Sequence, residues 1–123
     1  MGLDTYAVYY RDHNKYVKGG DNNIPNELFP DNRLCGGMFS GGGNSFRGKV
    51  YADYVEWVTD VSLYEELIDA DLVKVMAEQL SAVTEDKFNE FDNEWGITYD
   101  EAKDLAKWFS VVAEEGGSVV GWW

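Results

Sequence analysis

The strongest structural signal in the sequence is residues 98–117, which contain both the start and the end of a helix. Thr98 and Glu101 have the spacing of a capping box, in which two side chains satisfy free backbone N–H groups at a helix start. Beyond them, apolar residues recur at intervals of three and four, the period of an amphipathic helix, until two glycines end the pattern. We therefore predict a helix from Tyr99 to Glu114.

The two ends of the chain have patterns typical of strands. Thr5–Tyr10 combines aromatic and β-branched residues, the C-terminus reads SVVGWW, and Tyr16-Val17 could be a short strand that closes a hairpin with the first. We predict an α+β fold in which a small antiparallel sheet, from the N-terminal hairpin and the C-terminal strand, packs with three or four helices. No linker or internal repeat is visible, so residues 1–123 are predicted to form a single domain.

Helical periodicity also extends through the middle of the chain. Apolar residues from Phe46 to Val61 lie at helical spacing, which predicts one helix there. Ser62 and Glu65 fit a second capping box, which predicts a new helix from Ser62, with a break in the apolar pattern near Asp69. A further helical segment is predicted from Thr84.

The charge of the chain is strongly asymmetric. The net charge is −13, and residues 51–123 contain eighteen acidic and four basic side chains, whereas residues 1–50 contain five acidic and six basic ones. Proteins that bind nucleic acids or anionic membranes present basic surfaces, so this balance argues against both classes. It favours a basic protein surface as the partner.

The carboxylates of the acidic part could form one surface. Such a surface could occupy the basic, nucleic-acid-binding groove of another protein, although ordinary solvated helix faces are an alternative interpretation. The candidate residues are Glu56, Asp60, Glu65, Glu66, Asp69, Asp71, Glu78, Glu85, Asp86, Glu90, Asp92 and Glu94.

The segment FSGGGNSFRGK, residues 39–49, nearly matches a phosphate-binding loop. The match fails because Val50 stands where the loop needs Ser or Thr for Mg²⁺, and because no buried strand precedes it. A weaker anion site survives if Ser45 caps a helix whose free N–H groups face a small anionic ligand. Its residues would be Gly42, Gly43, Asn44, Ser45, Arg47 and Lys49. The alternative is that the glycines only allow a tight turn.

Catalytic and metal-binding patterns are weak. Cys35 and His13 are the only thiol and imidazole, and nothing in the local sequence joins them into a nucleophile–base pair. Asp92–Gly96 has the wrong spacing for a calcium loop, and a glycosidase carboxylate pair cannot be identified from spacing alone. We therefore predict no catalytic residues, no metal and no cofactor. No signal peptide or membrane span is visible, which predicts a cytoplasmic protein.

The MGLD start, the FSGGGNSFRGKVY segment and the terminal GWW resemble a group of small uncharacterised proteins of bacteria and their phages. The resemblance implies a small accessory protein, and a phage setting would make an antagonist of a host system plausible. It implies no activity. Two functional hypotheses follow: a non-enzymatic protein that binds through its acidic helices, or a protein that binds a nucleotide or phosphate at the glycine-rich segment.

Overall fold

Strands from both ends of the chain and from its middle form one antiparallel sheet. The computed structural model describes residues 3–9, 24–30, 34 and 43–123. Within these residues the strands are β1 (Asp4–Tyr9), β2 (Ser45–Arg47), β3 (Leu67–Ile68) and β4 (Gly117–Trp122). Their order in the sheet is β2-β1-β4-β3, and every neighbouring pair is antiparallel.

The helices that accompany this sheet are α1 (Gly48–Thr59), α2 (Ala70–Ser81), α3 (Glu85–Phe88) and α4 (Tyr99–Glu114). The predicted α+β class, with a sheet that includes both chain ends and about four helices, is confirmed. A single 3-10 turn at Asn26–Leu28 precedes β2. None of the helices in the described part of the chain is both long and apolar enough to span a bilayer.

The C-terminal strand pairs with the N-terminal strand along its whole length, as predicted. Asp4 lies opposite Trp122, and Tyr9 lies opposite Gly117. The predicted second hairpin strand at Tyr16-Val17 lies outside the described residues. The other neighbour of β1 is β2, a strand that the sequence pattern did not predict.

The start of α4 agrees with its sequence pattern. The Thr98 hydroxyl accepts a hydrogen bond from the Glu101 N–H at 3.0 Å, and the Glu101 carboxylate accepts one from the Thr98 N–H at 3.1 Å. This is the reciprocal arrangement of a capping box. The apolar face of the helix carries Trp108, which is 1% exposed. The Trp108 ring packs edge-on against Phe46 at 4.8 Å, so α4 is anchored to β2.

Two of the predicted helix starts are wrong. Residues 45–47 form β2, and α1 begins only at Gly48. The second helix begins at Ala70 instead of Ser62, because Leu67 and Ile68 pair with β4 at the edge of the sheet. The Ser62 hydroxyl instead accepts a hydrogen bond from the Tyr64 N–H at 3.1 Å and closes a turn.

Candidate functional site

All twelve acidic side chains of the predicted surface are exposed, but they lie on different parts of the fold. They belong to α1, to the connection before α2, to α2 itself, and to the stretch that includes and follows α3. Some of them have local structural partners. The Asp69 carboxylate, for example, caps α2 by accepting a hydrogen bond from the Leu72 N–H at 2.9 Å.

The outer face of α1 is the most concentrated of these regions. Asp53, Glu56 and Trp57 are exposed, and Glu56 and Trp57 lie three and four positions after Asp53, which places all three on one side of the helix. Asp60, also exposed, follows directly after the last residue of α1. Trp57 is 38% exposed, a large fraction for so apolar a side chain. Asp53 was missed in the sequence, although its spacing from Glu56 was the available signal.

The stretch around α3 packs against the same tryptophan. The Phe91 ring lies 5.3 Å from the Trp57 ring, and the Lys87 ammonium lies 5.0 Å from its centroid. This stretch also carries the exposed carboxylates of Glu85, Asp86 and Glu90. We call the combined surface the Trp57 face. It consists of Asp53, Glu56 and Trp57 on α1, of Asp60 directly after that helix, and of Glu85, Asp86 and Glu90 around α3.

Other acidic residues lie elsewhere. Glu78 lines a hollow between α2 and α4, together with Lys74 and Glu114. Glu65 and Glu66 precede β3 at the edge of the sheet, next to Tyr64, whose ring packs against that of Trp123 at 5.9 Å. The predicted acidic residues therefore divide into several groups, and the Trp57 face brings together those of α1 and α3.

The structure places the predicted anion-binding residues in a strand and a turn. Ser45 is buried in β2 and caps no helix, so the predicted cap is wrong. α1 instead begins after Arg47, whose side chain makes no capping hydrogen bond within the described residues. Arg47 itself is exposed. The Lys49 ammonium lies 5.9 Å from the Trp95 ring centroid. Gly42 lies outside the described residues.

Asn44 and Gly43 make structural contacts. The Asn44 N–H donates to the Asn26 side-chain oxygen at 3.1 Å, and its side-chain amide donates to the Ile24 carbonyl at 3.0 Å. The Gly43 carbonyl accepts a hydrogen bond from the Trp108 indole at 2.9 Å. The Asn44 N–H, one of the groups that the predicted anion site needs, is therefore already engaged.

A groove that sequence reasoning missed lies between the end of α2 and one side of α4. Its volume is about 440 Å³, within the usual range for ligand pockets. Among the residues that line it are Tyr54, Leu80, Val83, Tyr99, Ala102, Lys103, Ala106, Lys107, Val111 and Glu114. The available signal was the spacing of Tyr99, Lys103 and Lys107, which places them on one side of α4.

Tyr54, one of the residues that line this groove, has an unusual polar group. Its hydroxyl is buried and has no hydrogen-bond partner within the described part of the chain. Burial, and then the charge of ionised Tyr99, raise the pKa of Tyr54 from 10.0 to about 12. The hydroxyl is therefore protonated at neutral pH and is a free hydrogen-bond donor.

The other candidate chemistries have no further support in the described residues. Across residues 3–9, 24–30, 34 and 43–123, no three His, Cys, Asp or Glu side chains come together as metal ligands would. His13 and Cys35 lie outside these ranges. Comparison with models of known protein families, with curated proteins and with solved structures finds no match to this chain.

Proposed function

We propose that the protein is a non-enzymatic binding protein whose Trp57 face binds a basic surface of another protein. The observation that carries this proposal is the exposed Trp57 ring, which lies beside exposed carboxylates of α1 and is contacted by Phe91 and Lys87 of the acidic stretch around α3. Tryptophan is enriched among the residues that contribute most to protein–protein affinity. Carboxylates around it would attract a cationic partner and help to orient it.

Lys87 makes a contact of the kind that we propose for a cation of the partner. Its ammonium lies 5.0 Å from the Trp57 ring centroid, within the usual range of a cation–π interaction. A lysine or arginine of a partner could use the same ring and pair with the neighbouring carboxylates. Basic surfaces are typical of proteins that bind nucleic acids, so we propose such a protein as the partner class. The resemblance to phage proteins favours a narrower form, an inhibitor of a host nucleic-acid-handling protein.

Calorimetric titration with a synthetic helical peptide rich in arginine and lysine tests this proposal. Two triple variants carry the same net charge, because each loses three carboxylates. One is Glu56→Gln/Asp60→Asn/Glu90→Gln on the Trp57 face, and the other is Asp71→Asn/Glu78→Gln/Glu114→Gln outside it. We expect the first variant to lose at least about tenfold in affinity and the second less than about threefold. Equal losses would mean that only net charge matters, and would overturn the proposal.

The salt dependence of peptide binding separates the contribution of the charges from that of the Trp57 ring. Interactions between exposed charges are screened at high ionic strength, whereas contacts with the Trp57 ring depend less on salt. We expect affinity for the peptide to fall steeply with added NaCl and to fall further in Trp57→Ala at every salt concentration. Affinity that does not change with salt would exclude an electrostatic interface.

Anion binding near the start of α1 is the second candidate function. Arg47 and Lys49 are cations on either side of Gly48, the first residue of that helix, and a helix start favours anions. A thermal-shift screen with ATP and inorganic phosphate tests it, because a bound ligand stabilises the native state. A stabilisation that Arg47→Ala abolishes would support it, and no stabilisation by either compound would exclude both as ligands.

A further inference from the structure

We propose that the groove between α2 and α4 binds a small amphipathic anion, a molecule with an apolar body and a carboxylate or similar acidic group. The groove is lined by other residues than the Trp57 face, and the two adjoin where the Tyr54 ring packs against the Trp57 ring at 6.1 Å. Three features carry the inference: an apolar floor, two lysines on one side, and a buried hydroxyl that lacks a partner.

The floor fits an apolar body. Leu80 and Val83 contribute side chains from the end of α2 and the turn beyond it, and Ala102 and Ala106 leave space on the surface of α4. Burial of apolar area in such a groove contributes about 25 cal/mol for each Å² removed from water.

The groove is richer in positive charge than the rest of residues 51–123. Residues 51–123 contain only four basic side chains, and two of them, Lys103 and Lys107, line this groove. Lys103 pairs with Asp100 at 3.2 Å, whereas Lys107 has no ion-pair partner among the described residues. Glu114 lines the groove closer to the end of α4, so we place the acidic group of the ligand near Lys103 and Lys107.

The Tyr54 hydroxyl indicates that the ligand also carries a hydrogen-bond acceptor. An unpartnered buried hydroxyl destabilises a protein by about 1 to 3 kcal/mol, and an oxygen atom of a ligand would remove this penalty. Three other buried polar atoms, those of Thr5, Asn44 and Ser118, also lack a partner among the described residues, and Tyr54 is the one of these four residues that lines the groove. Removing the Tyr54 hydroxyl should therefore affect ligand binding more than stability.

Thermal shift and calorimetry with three probes test the site: decanoate, 2-naphthoate and decyltrimethylammonium, each below its aggregation concentration. The two carboxylates distinguish a chain-shaped from a ring-shaped apolar body. We expect at least one of them to bind at least about tenfold more tightly than the cation, although the net charge of −13 favours the cation. Tighter binding of the cation, or no binding of either carboxylate, would overturn the proposal.

Variants then locate the binding. Lys107→Gln should weaken carboxylate binding at least about fivefold, whereas Lys87→Gln, a lysine at the Trp57 ring, should leave it unchanged. Tyr54→Phe should also weaken binding while its melting temperature without ligand stays equal to or above that of the wild type. Unchanged binding in both Lys107→Gln and Tyr54→Phe would show that the ligand lies elsewhere.

Discussion

At the scale of single residues, Asn44 is an example of a residue whose role depends on its contacts and not on its motif. Its backbone and side chain hold the turn at residues 24–26, and its carbonyl accepts a hydrogen bond from the Ala7 N–H at 2.9 Å. Glycine and asparagine are common both in anion-binding loops and in tight connections. The sequence pattern could therefore not distinguish an anion-binding loop from a tight connection. The hydrogen bond from the Asn44 side chain to the distant Ile24 carbonyl is what distinguishes them.

Replacement of Asn44 should destabilise the protein without any ligand. In Asn44→Ala the Ile24 carbonyl loses a buried hydrogen-bond donor, which costs about 1 to 3 kcal/mol. Urea denaturation measures the free energy of unfolding, with Arg47→Ala, an exposed position in β2, as the control expected to change it by less than about 0.5 kcal/mol. Wild-type stability in Asn44→Ala would contradict the structural role.

Tyr54 should make stability depend on pH in the alkaline range. The pKa of Tyr54 is raised to about 12 in the folded protein, so the unfolded chain ionises first as the pH rises above 10.0. Ionisation of the unfolded chain lowers the free energy of unfolding. We expect the folded protein to keep its full stability below pH 10.0 and to lose about 2 to 3 kcal/mol of it as the pH approaches 12.

The comparison with Tyr54→Phe isolates this residue from the other tyrosines. We expect the variant to gain stability relative to the wild type as the pH is raised from about 9 to about 12, because phenylalanine cannot ionise. Denaturant midpoints of the two proteins, measured across this range, check the prediction. A difference that stays constant with pH would show that Tyr54 is not protected from ionisation.

At the scale of elements, the two capping-box patterns had different outcomes. Thr98 and Glu101 form the box, and α4 follows them as predicted. The Ser62 pattern closes a turn, because the residues after it pair with β4 and cannot also continue a helix. Local signals thus predicted the long helix correctly. They failed where a distant strand competes for the same residues.

Loss of the Thr98 cap should destabilise α4 and, through it, the whole fold. Thr98→Ala removes the acceptor of the Glu101 N–H, which costs about 1 kcal/mol, whereas Thr98→Ser retains a hydroxyl and should cost less. Thermal unfolding followed by circular dichroism measures both variants. If Thr98→Ala and Thr98→Ser are equally stable, the hydroxyl does not cap the helix.

At the scale of the whole molecule, the sequence predicted the class of fold but not the complete sheet. The strand-like patterns at the two ends predicted that β1 and β4 would pair, and this pairing is confirmed. β2 and β3 contain only three and two residues, and their periodicity is too short to identify them as strands. Their place in the sheet is determined by pairing with distant residues, which local patterns do not contain.

The sequence predicted the excess of negative charge but not which charged side chains share a surface. The excess of carboxylates after residue 50 is visible in the sequence, and polarity correctly predicts that most of them are exposed, with the buried Asp104 as an exception. Which of them share a surface depends on the contact between α3 and Trp57. The groove also depends on tertiary packing, because Tyr54 on α1 and Lys107 on α4 both line it. Neither surface could be defined without the fold.

The most direct test of the central claim is an NMR titration of the ¹⁵N-labelled protein with the basic helical peptide. If the Trp57 face is the binding surface, the largest shift changes occur in residues 53–60 and 85–91 and at the indole N–H of Trp57, and they disappear in the Glu56→Gln/Asp60→Asn/Glu90→Gln variant. Shift changes that centre on residues 43–49, or that spread evenly over every exposed carboxylate, would contradict it.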